Sequence, residues 1–260
     1  MNKLIKMAFA AICCLAFTQC SDFLDTSSPS NIDDEFVSSS PTETLKILSR
    51  GYALYRESCF GAYNWNDHFG SDIEYFPENN SSNNINAKLV PEQIPCDYMK
   101  DPFNSLYSVI AYTTKAINLI SEKTQYKEDI AAGRTTDWTH LKGEAETFRA
   151  MCYFDLIKHF GDVPYGYENS YVDDYEITSR FAIYDKLIEA VKAVEPYMYK
   201  VGEGGINGQR ISRTFANALI GKMALYAGGY QTIRTDMPEL YGEVQFEVLR
   251  TDAKRKCAYA

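Results

Sequence analysis

The chain has 260 residues, a formal charge of −9, and 45% apolar side chains, with 20 Tyr and 14 Phe supplying much of its bulk. An acidic balance of this size excludes a nucleic-acid binder, which needs basic patches to displace counterions from phosphates. The roughly 220 residues that follow the N-terminal segments are enough to bury one domain's core.

The first element is an export segment. Lys3 and Lys6 precede the apolar run Met7 to Phe17, which stops at Thr18-Gln19-Cys20 before the polar Ser21-Asp22. A positive end, a short apolar core and a small polar break make a signal peptide. Crossing a hydrocarbon layer takes about 20 apolar residues, more than this run offers. Residues 1–19 are therefore set apart from the folded body, and losing Lys3 and Lys6 takes the formal charge from −9 to −11. Leu15-Ala-Phe-Thr-Gln19-Cys20 resembles the lipoprotein signal of Gram-negative bacteria, with Gln19 where Gly or Ala is usual. On that resemblance Cys20 is the lipidation site, carrying diacylglycerol on sulfur and a further acyl chain such as palmitate on its amine. Each buried CH₂ contributes about 0.8 kcal/mol, so several chains hold a domain on a membrane. An ordinary signal peptide cut elsewhere is the other reading. Residues 20–40, rich in Ser and Asp, form a polar tether that need not pack.

Five segments of the body have helical periodicity. Pro41 to Tyr55 opens on a Pro and repeats Leu45, Leu48, Tyr52 and Tyr55. Phe103 to Ile120 repeats Leu106, Ile110, Thr113 or Thr114, Ile117 and Ile120. His140 to Phe160 places Ala145, Phe148, Cys152, Leu156 and Phe160 on one stripe, with Trp138 before its start closing the corner. Tyr184, Leu187, Val191, Val194 and Met198 form the fourth face, and Phe215, Leu219, Met223, Tyr226 and Tyr230 the fifth. Thr178 or Ser179 can cap the fourth helix and Ser212 the fifth. Gly161-Asp162 permits a sharp exit from the third, and Pro164 prevents its continuation. Small residues such as Ala145, Ala150, Ala216 and Gly221 allow close crossing. The expected fold is all-α: an antiparallel helical array with tetratricopeptide-like helix pairs and one long loop insertion. The helical domain is read as 41–235 and residues 236–260 as an irregular C-terminal segment.

That insertion runs from Ser58 to Pro102 and differs in chemistry. Tyr63, Trp65, Asn66, Asp67, Asp72, Tyr75 and Tyr98 are its candidate ligand-binding residues. Aromatic rings stack on the C–H faces of a pyranose while amides and carboxylates meet its hydroxyls. Long connections in compact domains are often binding loops. The alternative is that Tyr63 and Trp65 anchor the loop while the Asn-rich stretch Glu78 to Asn84 is merely hydrated.

Catalysis and cofactors find no support. There is no Gly-x-Ser-x-Gly turn, His-Glu-x-x-His motif or phosphate-binding glycine loop. His68, His140 and His159 are isolated, and the body's Cys59, Cys96, Cys152 and Cys257 lack metal-ligand spacing. Cys152 suits a core position. In an oxidising compartment Cys59 and Cys96 can be joined or free.

The run Gly143-Glu-Ala-Glu-Thr-Phe-Arg-Ala-Met-Cys-Tyr-Phe-Asp-Leu-Ile-Lys-His-Phe-Gly-Asp-Val-Pro164 resembles the characteristic helix and turn of the SusD/RagB family. Three further blocks agree in order: Cys20 to Asp25, Leu106 to Asn118, and Arg213 to Gly228. The resemblance implies a lipoprotein on the outer-membrane surface of Bacteroidota that captures a glycan for import through a TonB-dependent SusC-like transporter. From the absent motifs and spacings, no enzyme, cofactor or metal is expected. Capture of peptides or other nutrients by the same kind of system is an alternative, as is a non-catalytic helical protein-interaction module. Family members run to about twice this length, so an N-terminal portion is expected. Arg149 and Asp155 are expected to tie neighbouring helices or the following turn, with Arg149 structural rather than a ligand contact.

Overall fold

The computed structural model describes residues 34–58, 96–166 and 176–229, with residues 96–99 described by backbone alone. The chain divides into two units at Val37, and the short helix α1 (Asp34–Val37) belongs to the first. The second contains α2 (Pro41–Ser58), α3 (Cys96–Glu122), α4 (Thr124–Ala131), α5 (Asp137–Phe160), strands β1 (Val163–Pro164) and β2 (Ile177–Thr178), α6 (Arg180–Val194), and α7 (Arg213–Gly228).

All five expected helices form, and α5 is the one around which the others pack. It meets α2, α3, α4, α6 and α7, so it has almost no solvent face. From Thr139 to Ala150 every residue is buried. Phe148, Cys152 and Leu156 are fully enclosed, and Phe160 packs against the same cluster. Tyr52 of α2 stacks on Phe148 with ring centroids 4.4 Å apart, and Tyr55 meets it edge-on at 5.7 Å. Such pairs contribute about 0.5–1.5 kcal/mol beyond the area they bury. A second, smaller cluster joins Leu48, Ile117, Ile120 and Leu141, with Trp138 against it.

Local chemistry sets the helix ends. Ser40 Oγ accepts the Glu43 N–H at 3.2 Å, ahead of Pro41 at the first helical position. Thr136 and Thr139 form a reciprocal capping box that starts α5. Ser179 and Ser212 cap α6 and α7 as expected, accepting from Phe181 and Phe215. Gly161 ends α5 at φ +78°, and Asp162 Oδ1 then accepts from the Arg180 backbone N–H at 2.9 Å, tying the turn to α6. A Cβ on Gly161 would lie 2.6 Å from Arg180 Nη2. Gly161→Ala is therefore expected to cost about 1–3 kcal/mol, read from chemical denaturation, because a left-handed backbone and a displaced Arg180 act together.

Four details depart from the periodicity. α3 starts at Cys96, with Pro102 inside it. Proline sacrifices one backbone bond there, and its ring is buried in the packed helix, whereas a local reading treats it as a stop. α4 was not expected, being short and mostly polar. Trp138 lies in the first turn of α5 rather than before it, although its packing role holds. On α7 the buried face is Ala216, Leu219, Ile220, Met223, Ala224 and Ala227, while Phe215 and Tyr226 are exposed. Alanines share that inward face with Leu219, Ile220 and Met223.

Candidate functional site

Tyr63, Trp65, Asn66, Asp67, Asp72 and Tyr75 lie outside the described residues, as does the Tyr98 side chain, although its backbone is part of α3. Cys20 lies outside them too. The described scaffold fixes the helices that flank residues 59–95. At the end of α2, Tyr55 donates to Asp155 Oδ2 of α5 at 2.6 Å. In α3, Phe103 meets Phe160 edge-on at 5.1 Å, and Tyr107 donates to the Pro164 carbonyl at 2.6 Å. Both flanking helices are thus pinned to the C-terminal half of α5 and the turn after it.

The N-terminal half of α5 carries a buried polar network. Glu144, fully enclosed, accepts from the Tyr52 hydroxyl at 2.7 Å and from Arg210 through Nε at 3.2 Å and through Nη2. One carboxylate therefore joins α2, α5 and the loop before α7. Burial, then the Glu144 charge and its hydrogen bond, push the Tyr52 phenol well above its ordinary range. Two residues on, Glu146 pairs with Arg149 at 2.5 Å and with Lys142 at 3.5 Å. Arg149 also donates to Thr114 of α3 at 3.3 Å, and Lys142 donates to Ser121 at 2.6 Å. Burial lowers the Lys142 pKa against the pull of Glu146. Asp129 accepts from Thr136, Arg134 and Gln125; the Thr136 and Arg134 bonds hold its carboxyl below the usual range.

Arg149 and Asp155 thus tie helices together, as the sequence suggested. The partnership of Glu144 with Arg210 and Tyr52 was not anticipated. Its one local sign was a dense run of charges on a helix whose opposite faces are also apolar. These groups are committed to one another, which suits a rigid scaffold rather than acid–base chemistry. Among the described residues, no group of three or more His, Cys, Asp or Glu could hold a metal ion, and no helix is long and apolar enough to cross a membrane.

Beside this network is a small pocket of about 110 Å³, lined by Pro41, Leu45, Asp137, His140, Ile206 and Arg210 among others. His140 is 2% exposed, and its Nδ1 accepts the Tyr199 N–H at 3.2 Å. Burial, and then the Arg210 charge, push its pKa down to about 4. The folded state therefore keeps this ring neutral where an unfolded one, near 6.5, takes a proton. Stability from this source is complete above pH 6.5, declines as the pH falls, and is lost by about pH 4. The expected loss is about 3 kcal/mol. Unfolding titrations at pH 7 and pH 4 should show that much more acid sensitivity in the parent than in His140→Gln, where Glu144, Asp137, Arg210 and the Tyr199 ring remain.

Comparison with known proteins identifies the scaffold. The SusD-like family model, described as starch-binding and associating with the outer membrane, matches residues 22–195. The chain belongs to the SusD-like family. The match spans α1 through α6, including the Lys142, Glu146 and Arg149 cluster and the turn at Gly161, while Arg210 lies beyond it. Two solved structures share the SusD-like fold. A SusD homologue from Bacteroides thetaiotaomicron VPI-5482 superposes with a TM-score of 0.57 at 18% identity, over 83% of this chain and 39% of the other. A SusD-like carbohydrate-binding protein from Bacteroides fragilis NCTC 9343 gives 0.52 at 18% identity, over 74% and 38%. The chain spans about two fifths of the length of these solved relatives. A comparison with curated protein sequences finds no match.

Proposed function

We propose that this chain is part of a non-catalytic, surface-tethered lipoprotein that captures an oligosaccharide and passes it to a TonB-dependent SusC-like transporter in the outer membrane. The observation that carries this reading is the family match over residues 22–195, with its starch-binding, outer-membrane description. The scaffold supports it: helices pinned to α5 flank residues 59–95, the stretch richest in rings, amides and carboxylates. In this reading residues 1–19 are the signal peptide, Cys20 is acylated, residues 20–40 are the tether, and 41–235 form the helical body. Tyr63, Trp65, Asn66, Asp67, Asp72, Tyr75 and Tyr98 supply the ligand contacts.

Calorimetry of the full 260-residue chain against malto-oligosaccharides and a wider glycan panel tests the assignment. Binding is expected, and Trp65→Ala should weaken it at least tenfold, about 1.4 kcal/mol, without moving the unfolding midpoint. Silence across the whole panel would sink the saccharide assignment. Intact mass of the mature chain tests Cys20 separately.

A protein-interaction reading draws on one observation. On α7, Phe215, Leu225 and Tyr226 are 39%, 65% and 41% exposed, with Phe215 about three turns from the other two. Co-purification with a barrel partner, together with no saccharide binding, would select that reading.

A further inference from the structure

His140 and Glu144, one turn apart on α5, hold the segment that precedes α7. His140 Nδ1 accepts the Tyr199 N–H at 3.2 Å, and Glu144 accepts from Arg210 through Nε at 3.2 Å and through Nη2. The two ends of this segment are anchored by other means. Thr139 donates its hydroxyl to the Tyr197 carbonyl at 3.1 Å, Arg213 donates its N–H to the Tyr199 carbonyl at 2.8 Å, and Met198 and Ile211 are buried. None of these anchors answers to pH. Between them residues 200–209 are exposed apart from Ile206, so little packing is lost when this stretch lifts.

A proton on His140 weakens both side-chain ties. The neutral ring accepts at Nδ1 and carries its hydrogen on Nε2, whereas the imidazolium donates from both nitrogens. The Tyr199 N–H would then face another N–H. The new charge would also lie 3.8 Å from Glu144 Oε2, the oxygen held by Arg210 Nη2, and would compete for it. Asp137 and Glu144 face the ring from α5, and Arg210 and the Tyr199 phenol face it from the segment itself. Pro41, Thr42 and Leu45 of α2 add no charge there, and the Tyr52 phenol is engaged by Glu144.

We propose that His140 is an acid-sensitive latch, whose protonation releases residues 199–210 from α5 while the helical core stays folded. Burial and the Arg210 charge set the ring's pKa at about 4 with the latch closed, against 6.5 for a solvated ring. Opening therefore takes up a proton as the pH falls below 6.5, and its equilibrium constant should rise about 20-fold from pH 7 to pH 5.

Amide hydrogen exchange in the full chain, read as protection factors with and without low urea, tests this. The Tyr199 amide should lose about 20-fold in protection from pH 7 to pH 5, with no response to urea, because a local opening exposes little surface. Arg210 Nε–H should lose protection with it. The Phe148 and Leu156 amides of α5 should be more strongly protected at both pH values and should respond to urea. His140→Gln, whose amide oxygen can accept from Tyr199 at any pH, should abolish the fall. In the parent the fall should begin below pH 6.5 and approach one proton per opening, a readout that does not depend on the variant folding. Tyr199 exchanging with the protection and urea response of Phe148 would mean global unfolding alone and would overturn the proposal. A fall that begins only below pH 5, or persists in folded His140→Gln, would assign it to a carboxylate and overturn it equally.

Discussion

Arg149→Ala should cost the fold about 3–5 kcal/mol, much of a typical domain's net stability. The side chain is 2% exposed and lies between α5 and α3, with Glu146 on one side and Thr114 on the other. Removing it leaves the Glu146 carboxylate in a dry environment without its closest ion-pair contact, against Lys142 at 3.5 Å. It also opens a cavity against a helix that cannot move inward, because every neighbouring face is packed. Denaturant titration of the full chain would measure the loss. Arg149→Met with Glu146→Leu and Lys142→Met should recover a large part of it, since replacing a whole buried ionic group by apolar residues of similar volume is often neutral or stabilising. If Arg149→Ala unfolds at the parent's midpoint, the α5 ion pairs are not what hold α3 and α5 together.

Glu144→Leu should destabilise by about 3 kcal/mol, through a different route. Its carboxylate serves two partners that come from distant parts of the chain. Tyr52 would lose its acceptor in a buried position, and Arg210 would lose both donated bonds. The Arg210 side chain is 31% exposed, so it can recover some solvation, which keeps the figure below that of a fully enclosed pair. Glu144→Gln should fall between parent and Leu, because the amide oxygen still accepts from Tyr52 while its N–H₂ group meets Arg210 poorly. Near-ultraviolet circular dichroism should lose the Tyr52–Phe148 stacking signal in the Leu variant. A double-mutant cycle with Arg210→Ala would give a coupling of about 1–3 kcal/mol, and zero coupling would mean that the loop is held by other contacts.

Much of the helical layout was legible because packing periodicity is a local property. The stripe of Phe148, Cys152 and Leu156, the serine caps of α6 and α7, and the Gly161 turn can each be read within a few residues. The start of α3 was not, since a proline inside a helix is stabilised by tertiary packing that no local window contains. The inward face of α7 was missed for a related reason. Leu219 and Met223 marked the right side, but the large apolar Phe215 and Tyr226 drew the stripe outward, while Ala216, Ala224 and Ala227 are the ones buried. For the proposed ligand contacts, the sequence supplied residue types in one stretch, and Tyr63 through Tyr75 lie outside the described residues.

The sequence alone determined that this is a helical chain with a long polar, ring-rich connection after its first long helix, and it carried the family likeness in the residues of α5. Tertiary structure decided how the charges of α5 are satisfied. Glu144 meets Tyr52 across 92 residues and Arg210 across 66, and the neutral His140 lines a pocket closed by a loop some 60 positions away. Periodicity reports which side of a helix faces inward. The partner waiting there is set by three-dimensional packing, because a buried charge has to be met by a group brought close in space, however far apart the two lie along the chain.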